Sequence, residues 1–180
     1  VGATKDDARR LNGVAVVLDG LSRHRLSLAK LKSAGSTDLH PLIADWQRVL
    51  DAARTTAADP RADVGLRVAS LAVFGRDAAA EAVELQLLDA LLGPQAPDAL
   101  QSAALAALAR FATVDAADAL TVRWSTFTAD RKRQALAVLL NRDAWAERLL
   151  AAVGAKRIGA SEIDVTSTQR LLNHPNAKLR

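Results

Sequence analysis

Apolar residues recur at intervals of three and four along almost the whole chain, a spacing that places them on one face of an α-helix. No segment alternates apolar and polar side chains as a half-buried β-strand does. We expect a first helix from Thr4 to Leu21, a short second helix over residues 27–33, and a long third helix between Pro41 and Asp59. The pattern therefore predicts an all-α fold.

The third helix shows the expected inward face most clearly. The residues expected to point into the core fall at helical spacing and are Leu42, Ile43, Trp46, Val49, Leu50 and Ala53. Beyond this helix the chain changes character, since short helices are separated by Gly, Pro and Asp at fairly even intervals. Such punctuation is typical of an internal repeat.

An internal repeat is present after Pro60. Residues 66–72 align with residues 100–106 at an offset of 34, and Leu105-Ala106 aligns with Leu136-Ala137 at an offset of 31. Each copy follows a signal for a helix start, namely Asp59-Pro60, Ala96-Pro97-Asp98 and Thr128-Ala129-Asp130. Because one helix pair cannot bury its apolar face alone, such pairs stack on one another. The sequence predicts an α-solenoid of antiparallel helix pairs.

A Pro and an Asp that lead into a helix reading apolar-Arg-x-x-x-Leu-Ala, as in residues 66–72, resemble the HEAT repeat. The resemblance implies HEAT-like or armadillo-like pairs in a right-handed superhelix. We expect residues 1–59 to form N-terminal helices that pack on the stack, and residues 60–180 to form the repeats, with the last repeat truncated. The two parts are expected to make one domain.

The last forty residues carry a more specific order of residues. Arg142-Asp143-Ala144-Trp145-Ala146 leads through Leu149-Leu150 and Gly154 to Ile158, and then to Gln169, Leu171-Leu172 and His174-Pro175. This order resembles the HEAT-like segment of large membrane-bound dehydrogenases of planctomycetes and verrucomicrobia that carry a haem-binding domain. In that family a sugar-dehydrogenase-like β-propeller precedes the helical repeats, and a c-type cytochrome domain follows them.

The resemblance implies a scaffold without catalytic residues, located in the periplasm or cell envelope. Its partners would be the adjacent domains of the same parent chain, or other proteins. Because the sequence begins at Val1 and contains no Met, we expect it to be a fragment or processed product of that longer chain. Any targeting signal would then lie outside these residues.

Composition excludes several kinds of chemistry. The chain has no Cys, which rules out disulfides, zinc–cysteine sites, iron–sulfur clusters, thiol catalysis and covalently attached c-type haem on these residues. With 3% aromatic residues and no Met, Ala, Leu and Val must build the core. No apolar run approaches the roughly 18 residues that a membrane-spanning helix needs.

No catalytic or metal-binding motif stands out. The three histidines, His24, His40 and His174, lie far apart, and none has a second His or a carboxylate at the spacing that metal ligands show. His40 and His174 each precede a Pro and are expected in turns or caps. A nucleophile elbow, a P-loop, a dinucleotide fingerprint and a zincin motif are absent. We therefore predict a non-enzymatic chain without cofactor or metal.

A nucleic-acid function is the alternative, since HEAT-like DNA glycosylases use exposed aromatic side chains on a basic surface. The residues that would contact nucleic acid here are Trp124, Trp145, Arg131, Lys132 and Arg133. Both tryptophans, like Trp46, fall in register with apolar neighbours, which favours core packing over base contact. The sequence thus favours a protein partner over nucleic acid.

Basic residues also cluster after the first helix, at Arg23, Arg25, Lys30 and Lys32. The formal net charge is only +4, and acidic residues are interspersed elsewhere, so solvated helix faces account for these clusters. Arg67 is expected to pair with Asp63 one turn earlier, an interaction worth a few tenths of a kcal/mol. Charge alone does not identify a partner.

Overall fold

A computed structural model describes residues 2–33 and 39–180, and every regular element within these two ranges is helical. The α-helices are α1 (Gly2–Arg23), α2 (Leu28–Ser33), α3 (His40–Ala58), α4 (Val64–Leu71), α5 (Glu81–Leu91), α6 (Asp98–Leu108), α7 (Asp115–Val122), α8 (Ala129–Leu139), α9 (Asp143–Gly154) and α10 (Val165–Leu172). Short 3-10 helices cover Ala78–Ala80, Trp124–Thr126 and Ala160–Glu162. The prediction of an all-α fold is confirmed. In the described part of the chain, no helix combines the length and the apolarity that a membrane crossing demands.

The helices after residue 60 contact one another in two series. Helix α6 packs against both α4 and α8, and helix α7 packs against both α5 and α9. The α5–α6 and α8–α9 contacts join the two series. The N-terminal helices α1 and α3 both pack on α4, the first helix of the repeat region.

Positions that the sequence repeat aligns share the same environment. Leu71, Leu105 and Leu136 are all buried, and so are the residues that precede them, Ser70, Ala104 and Ala135. Their helices α4, α6 and α8 are successive neighbours, so each aligned leucine lies in the same kind of inter-helix contact. The small residue before each leucine lets the neighbouring backbone approach closely.

Side-chain caps fix the starts of several helices. Asp63 accepts the Leu66 N–H at the start of α4, Thr128 accepts the Arg131 N–H at the start of α8, and Asp164 accepts the Ser167 N–H at the start of α10. The expected pair between Arg67 and Asp63 is therefore wrong. The Asp63 carboxylate is used as a cap, and Arg67 is buried with its Nε donating to the Ala57 carbonyl at 3.1 Å.

Arginines bond to the carboxyl ends of the α4–α6–α8 series. Arg110 donates to the carbonyl of Leu71, the last residue of α4, and to that of Phe74 just after it. Arg142 donates to Ala109 at the end of α6, and Arg170 donates to Leu140 at the end of α8. The last carbonyls of a helix lack intrahelical donors, and the helix dipole favours a cation there. Each arginine thus serves a helix that precedes it in the chain.

One core expectation in α3 is wrong. Ile43, Leu50, Ala53 and Ala57 form its buried stripe, and Trp46 is half-buried against the core. Leu42 is 42% exposed, because it lies about 100° around the helix from Ile43 and so falls outside the stripe.

Candidate functional site

The structure brings together two of the residues named for the nucleic-acid alternative. Trp124 is 1% exposed, and its Nε1 donates to Glu162 Oε2 at 2.8 Å. Lys132 Nζ pairs with the same carboxylate oxygen and lies 5.8 Å from the centroid of the indole ring. The hydrogen bonds from Lys132 and Trp124 lower the pKa of Glu162 below its ordinary value. These contacts hold together the 3-10 helix after α7, helix α8 and the 3-10 helix before α10.

The other three residues lie in separate places. Trp145 is 1% exposed and packs beneath the Arg142 guanidinium, whose centre is 5.4 Å from the ring centroid. Arg131 is buried and bonds to Asp98 and Ser102 on α6. Arg133 is exposed and pairs with Asp130 one turn earlier. Neither Trp124 nor Trp145 presents an exposed ring face to a base.

The histidines occupy helix starts and turns. His40 is the first residue of α3, and His174 Nδ1 accepts the Asn176 N–H at 3.2 Å across the turn that contains Pro175. His174 Nε2 also lies 3.7 Å from Asp143 Oδ1. Among the residues the structure describes, no group of three or more His, Asp or Glu side chains could hold a metal ion.

A polar centre that the sequence did not reveal lies at the break between α4 and α5. Gly75 has a φ of +76°, in the left-handed region that favours glycine. A Cβ at this position would approach the Arg110 Cβ and the Phe111 ring at 3.1 Å. The Gly75 N–H donates to Glu84 Oε2 at 2.7 Å, so a carboxylate of α5 fixes this turn. We call the segment Gly75–Arg76–Asp77 the Gly75 corner.

Buried charges support the Gly75 corner from within. The Glu84 side chain is 1% exposed, and its Oε1 accepts a bond from Arg54 Nε at 2.9 Å. Arg54 Nη2 also bonds to Asp77 Oδ2 at 2.9 Å. Burial raises the pKa of Glu84 above its ordinary value, and the bonds from Gly75 and Arg54 oppose that rise. This network ties α3 to α5 through the corner.

Two guanidinium groups meet on the outer side of the Gly75 corner. The Arg76 side chain is 8% exposed, and its Nη1 pairs with Asp19 of α1, a carboxylate that is half exposed. Arg110 is fixed by the carbonyls of Leu71 and Phe74. Burial and the nearby charge of Arg76 lower the pKa of Arg110 to about 10. The bond from Arg76 holds the pKa of Asp19 below its usual value.

A cleft of about 220 Å³ opens beside these arginines, and we call it the Arg76 cleft. Ser27 and Ala29 at the start of α2 form one wall, and Arg76, Glu81, Arg110 and Phe111 form the others. A second hollow of about 130 Å³ shares Ser27 and Arg76 with it. The residues of the Arg76 cleft come from three separate stretches of the chain, so spacing alone could not assemble it. The one available signal was the helix break at Gly75 followed by charged residues.

The comparisons with known proteins identify no relative. No family model matches the chain, and neither a curated protein nor a solved structure matches it. The resemblance to the HEAT-like segment of dehydrogenases therefore stays a prediction.

Proposed function

We propose that the chain is a non-catalytic α-solenoid of HEAT-like helix pairs that serves as a scaffold for protein partners. The contact series α4–α6–α8 and α5–α7–α9 supports stacked pairs, and the aligned buried leucines support equivalent repeats. In this proposal the pairs follow a right-handed superhelix, and α1 and α3 cover its first repeat.

The observation that carries the proposal is that each helix of the α5–α7–α9 series has exposed apolar side chains. Val83 on α5 is 61% exposed, Val122 on α7 is 69% exposed, and Ala144 and Ala151 on α9 are exposed as well. Repeat proteins bind partners along the continuous surface that their stacked helices create. We name these four residues the second-series surface. Its small apolar side chains suit a flat protein partner.

The partners we propose are the two domains that flank the HEAT-like segment in the resembled dehydrogenases. One is a β-propeller and the other a c-type cytochrome domain, which would place the parent protein in the periplasm or cell envelope. The chain has no Cys, so a thioether-linked haem would be carried by the cytochrome domain. The solenoid would set the distance and orientation between the two.

The test uses the 180-residue chain with separately produced propeller and cytochrome domains from a protein of the resembled family. Sedimentation velocity is expected to show a one-to-one complex with at least one domain. The double change Val83→Arg and Val122→Arg should abolish the complex, because it places charges in an apolar contact. Val16→Arg on α1 is the matched control, since Val16 is equally exposed but lies outside this surface. No complex with either domain, or stoichiometric haem binding by the chain alone, would contradict the proposal.

A further inference from the structure

An apolar groove of about 240 Å³ opens between α9 and α10, and we call it the α9–α10 groove. Leu150 and Val153 from α9 line it together with Thr168 and Leu172 from α10. We propose that this groove binds an acidic amphipathic helix of a partner protein. The groove uses other side chains of α9 than the second-series surface does, so this inference goes beyond the proposed scaffold function and stands without it.

The lining of the groove suits aliphatic side chains. Its larger apolar residues are buried or half-buried, apart from the exposed Leu172, and they are Leu149, Leu150, Val153, Ile163, Leu171 and Leu179. Thr168 and Arg180 add two polar side chains. A site for a small ligand usually encloses it and directs several polar groups at it, whereas this groove is open and mostly aliphatic. An apolar space of about 150 Å³ already holds a benzene-sized group, so one or two leucine side chains have room here.

Helix α10 shows a second apolar face beside its buried one. Leu171 is buried, while Val165 is 74% exposed and Leu172 is 60% exposed. With Thr168, these two exposed residues follow the spacing i, i+3 and i+7, which places them on one face of the helix. A partner helix docks on such a face with apolar residues of the same spacing.

The lengths of the two helices set the length of the occupant. Helix α9 has 12 residues and α10 has 8. At a rise of 1.5 Å per residue, the walls of the groove are roughly 12 to 18 Å long. A partner helix of about two to three turns matches this length.

Basic residues flank the groove and indicate the charge of its occupant. Lys156 and Arg157 lie in the turn after Val153, and Lys178 directly precedes Leu179. All three basic side chains are exposed. Within the described part of the chain, the ion pairs of this region involve other side chains, so these three charges are free to meet a partner.

The acidic residues near the groove are mostly engaged. Glu162 is paired with Lys132, and Asp164 accepts the Ser167 N–H at the start of α10. Glu147 on α9 is exposed and forms no ion pair with the residues that the structure describes. Three free cations therefore outweigh one free carboxylate. Since complementary charge around an apolar contact speeds association and selects the partner, the groove fits a helix whose apolar stripe is bordered by Glu or Asp.

The shape of the groove favours a helix over an anionic lipid surface, which would also attract basic residues. A helix that lies on a membrane buries its apolar face among the lipid chains, so that face has to project from the protein. Here Leu149, Leu171 and Leu179 are recessed, with exposed fractions of 0%, 8% and 2%. Side chains projecting from a partner helix can reach them.

The test measures binding of a fluorescein-labelled peptide by fluorescence anisotropy. The peptide has about 18 residues, which exceeds the roughly 12 to 15 below which isolated helices are marginal, with Leu at intervals of three and four and Glu and Ala elsewhere. Leu172→Asp is expected to weaken binding about tenfold or more, because it places a carboxylate in the apolar contact. Leu42→Asp makes the same change on α3, where Leu42 is 42% exposed, and should change binding by less than about twofold. Circular dichroism checks that both variants fold.

The charge of the partner is tested in two ways. With the wild-type protein, a peptide that has Lys in place of every Glu should bind about tenfold more weakly or worse, a comparison that needs no variant. The double change Lys156→Gln and Arg157→Gln should weaken binding of the Glu peptide about threefold or more. Arg23→Gln with Arg25→Gln is the matched control, since it removes two exposed charges from the turn after α1, and Arg25 and Lys156 have nearly the same positive φ of 57° and 58°. This control should change binding by less than about twofold.

Several results would overturn the proposal. They are no binding of the Glu peptide, equal binding of the Glu and Lys peptides, and equal losses in Leu172→Asp and Leu42→Asp. Binding to vesicles of phosphatidylserine and phosphatidylcholine that depends on Leu172 and displaces the peptide would assign the groove to lipid. Self-association in sedimentation velocity that Leu172→Asp abolishes would assign it to a second copy of the chain.

The proposed scaffold function is judged separately, by the complex with the propeller and cytochrome domains. Leu172→Asp should leave that complex unchanged, because Leu172 lies outside the second-series surface. Peptide binding without the complex would support the groove and remove the scaffold, and the reverse result would do the opposite.

Discussion

Truncation of Leu105 to Ala tests the repeat register through the stability of the protein. Leu105 lies on α6 and is 2% exposed, between the neighbouring helices α4 and α8. The change removes three carbon atoms from a closely packed contact, and the surrounding helices can fill the space only in part. Buried Leu→Ala changes cost about 2 to 5 kcal/mol, and a site shared by two helix contacts belongs in the upper half of that range. We therefore expect about 3 to 5 kcal/mol.

The assay is urea unfolding followed by circular dichroism, with the free energy of unfolding taken by linear extrapolation. Leu172→Ala makes the same chemical change at a position that is 60% exposed and should cost less than about 1 kcal/mol. Leu71→Ala and Leu136→Ala, the aligned positions, should resemble Leu105→Ala. A cost for Leu105→Ala no larger than that of Leu172→Ala would refute the register.

Three further predictions concern the corner, a helix cap and the nucleic-acid alternative. Gly75→Ala should destabilise the protein by about 1 to 3 kcal/mol, because it forces a side chain into the left-handed region. Gly20→Ala in α1, where a Cβ would meet nothing within 4 Å, should instead stabilise it by up to about 1 kcal/mol. Thermal unfolding checks both variants, and equal effects would contradict the conformation assigned to Gly75. Asp164→Ala should cost about 0.5 to 2 kcal/mol near neutral pH. The bond from the Ser167 N–H lowers the pKa of Asp164 in the folded protein, so its stabilisation is present above the ordinary Asp pKa and is lost as pH falls through the lowered value. Urea unfolding at several pH values should therefore show the stabilities of Asp164→Ala and the wild type converging in acid. A difference that stays constant with pH would argue against the cap. Duplex DNA should give no gel shift at low salt, because Trp124 and Trp145 are buried and Arg131 is bonded to α6, and a shift that weakens steeply with salt would revive that function.

The sequence was most informative where structure is local. Helix positions, the aligned leucines and the helix start at Thr128 depend on residues within a turn or two of each other. The prediction for Leu42 was wrong because the apolar stripe covers only part of the helix circumference. A shift of one residue turns a side chain by about 100°, which is enough to move it from the buried stripe to solvent.

The polar features were least predictable. Spacing along the sequence indicated Asp63 as the partner of Arg67. In the folded chain, Arg67 donates to the Ala57 carbonyl instead. Asp19, Arg76 and Arg110 come from α1, the corner and the end of α6, and only the packing of these helices brings them together. Contacts between residues tens of positions apart follow from tertiary structure, which no local pattern encodes.

The central claim is that the helix pairs stack into a right-handed solenoid, and a crystal structure of the chain tests it most directly. We expect α4, α6 and α8 to follow one another in one layer and α5, α7 and α9 to form the second, with a right-handed turn between successive pairs. A bundle in which α4 packs directly on α8, or a left-handed stack, would contradict it.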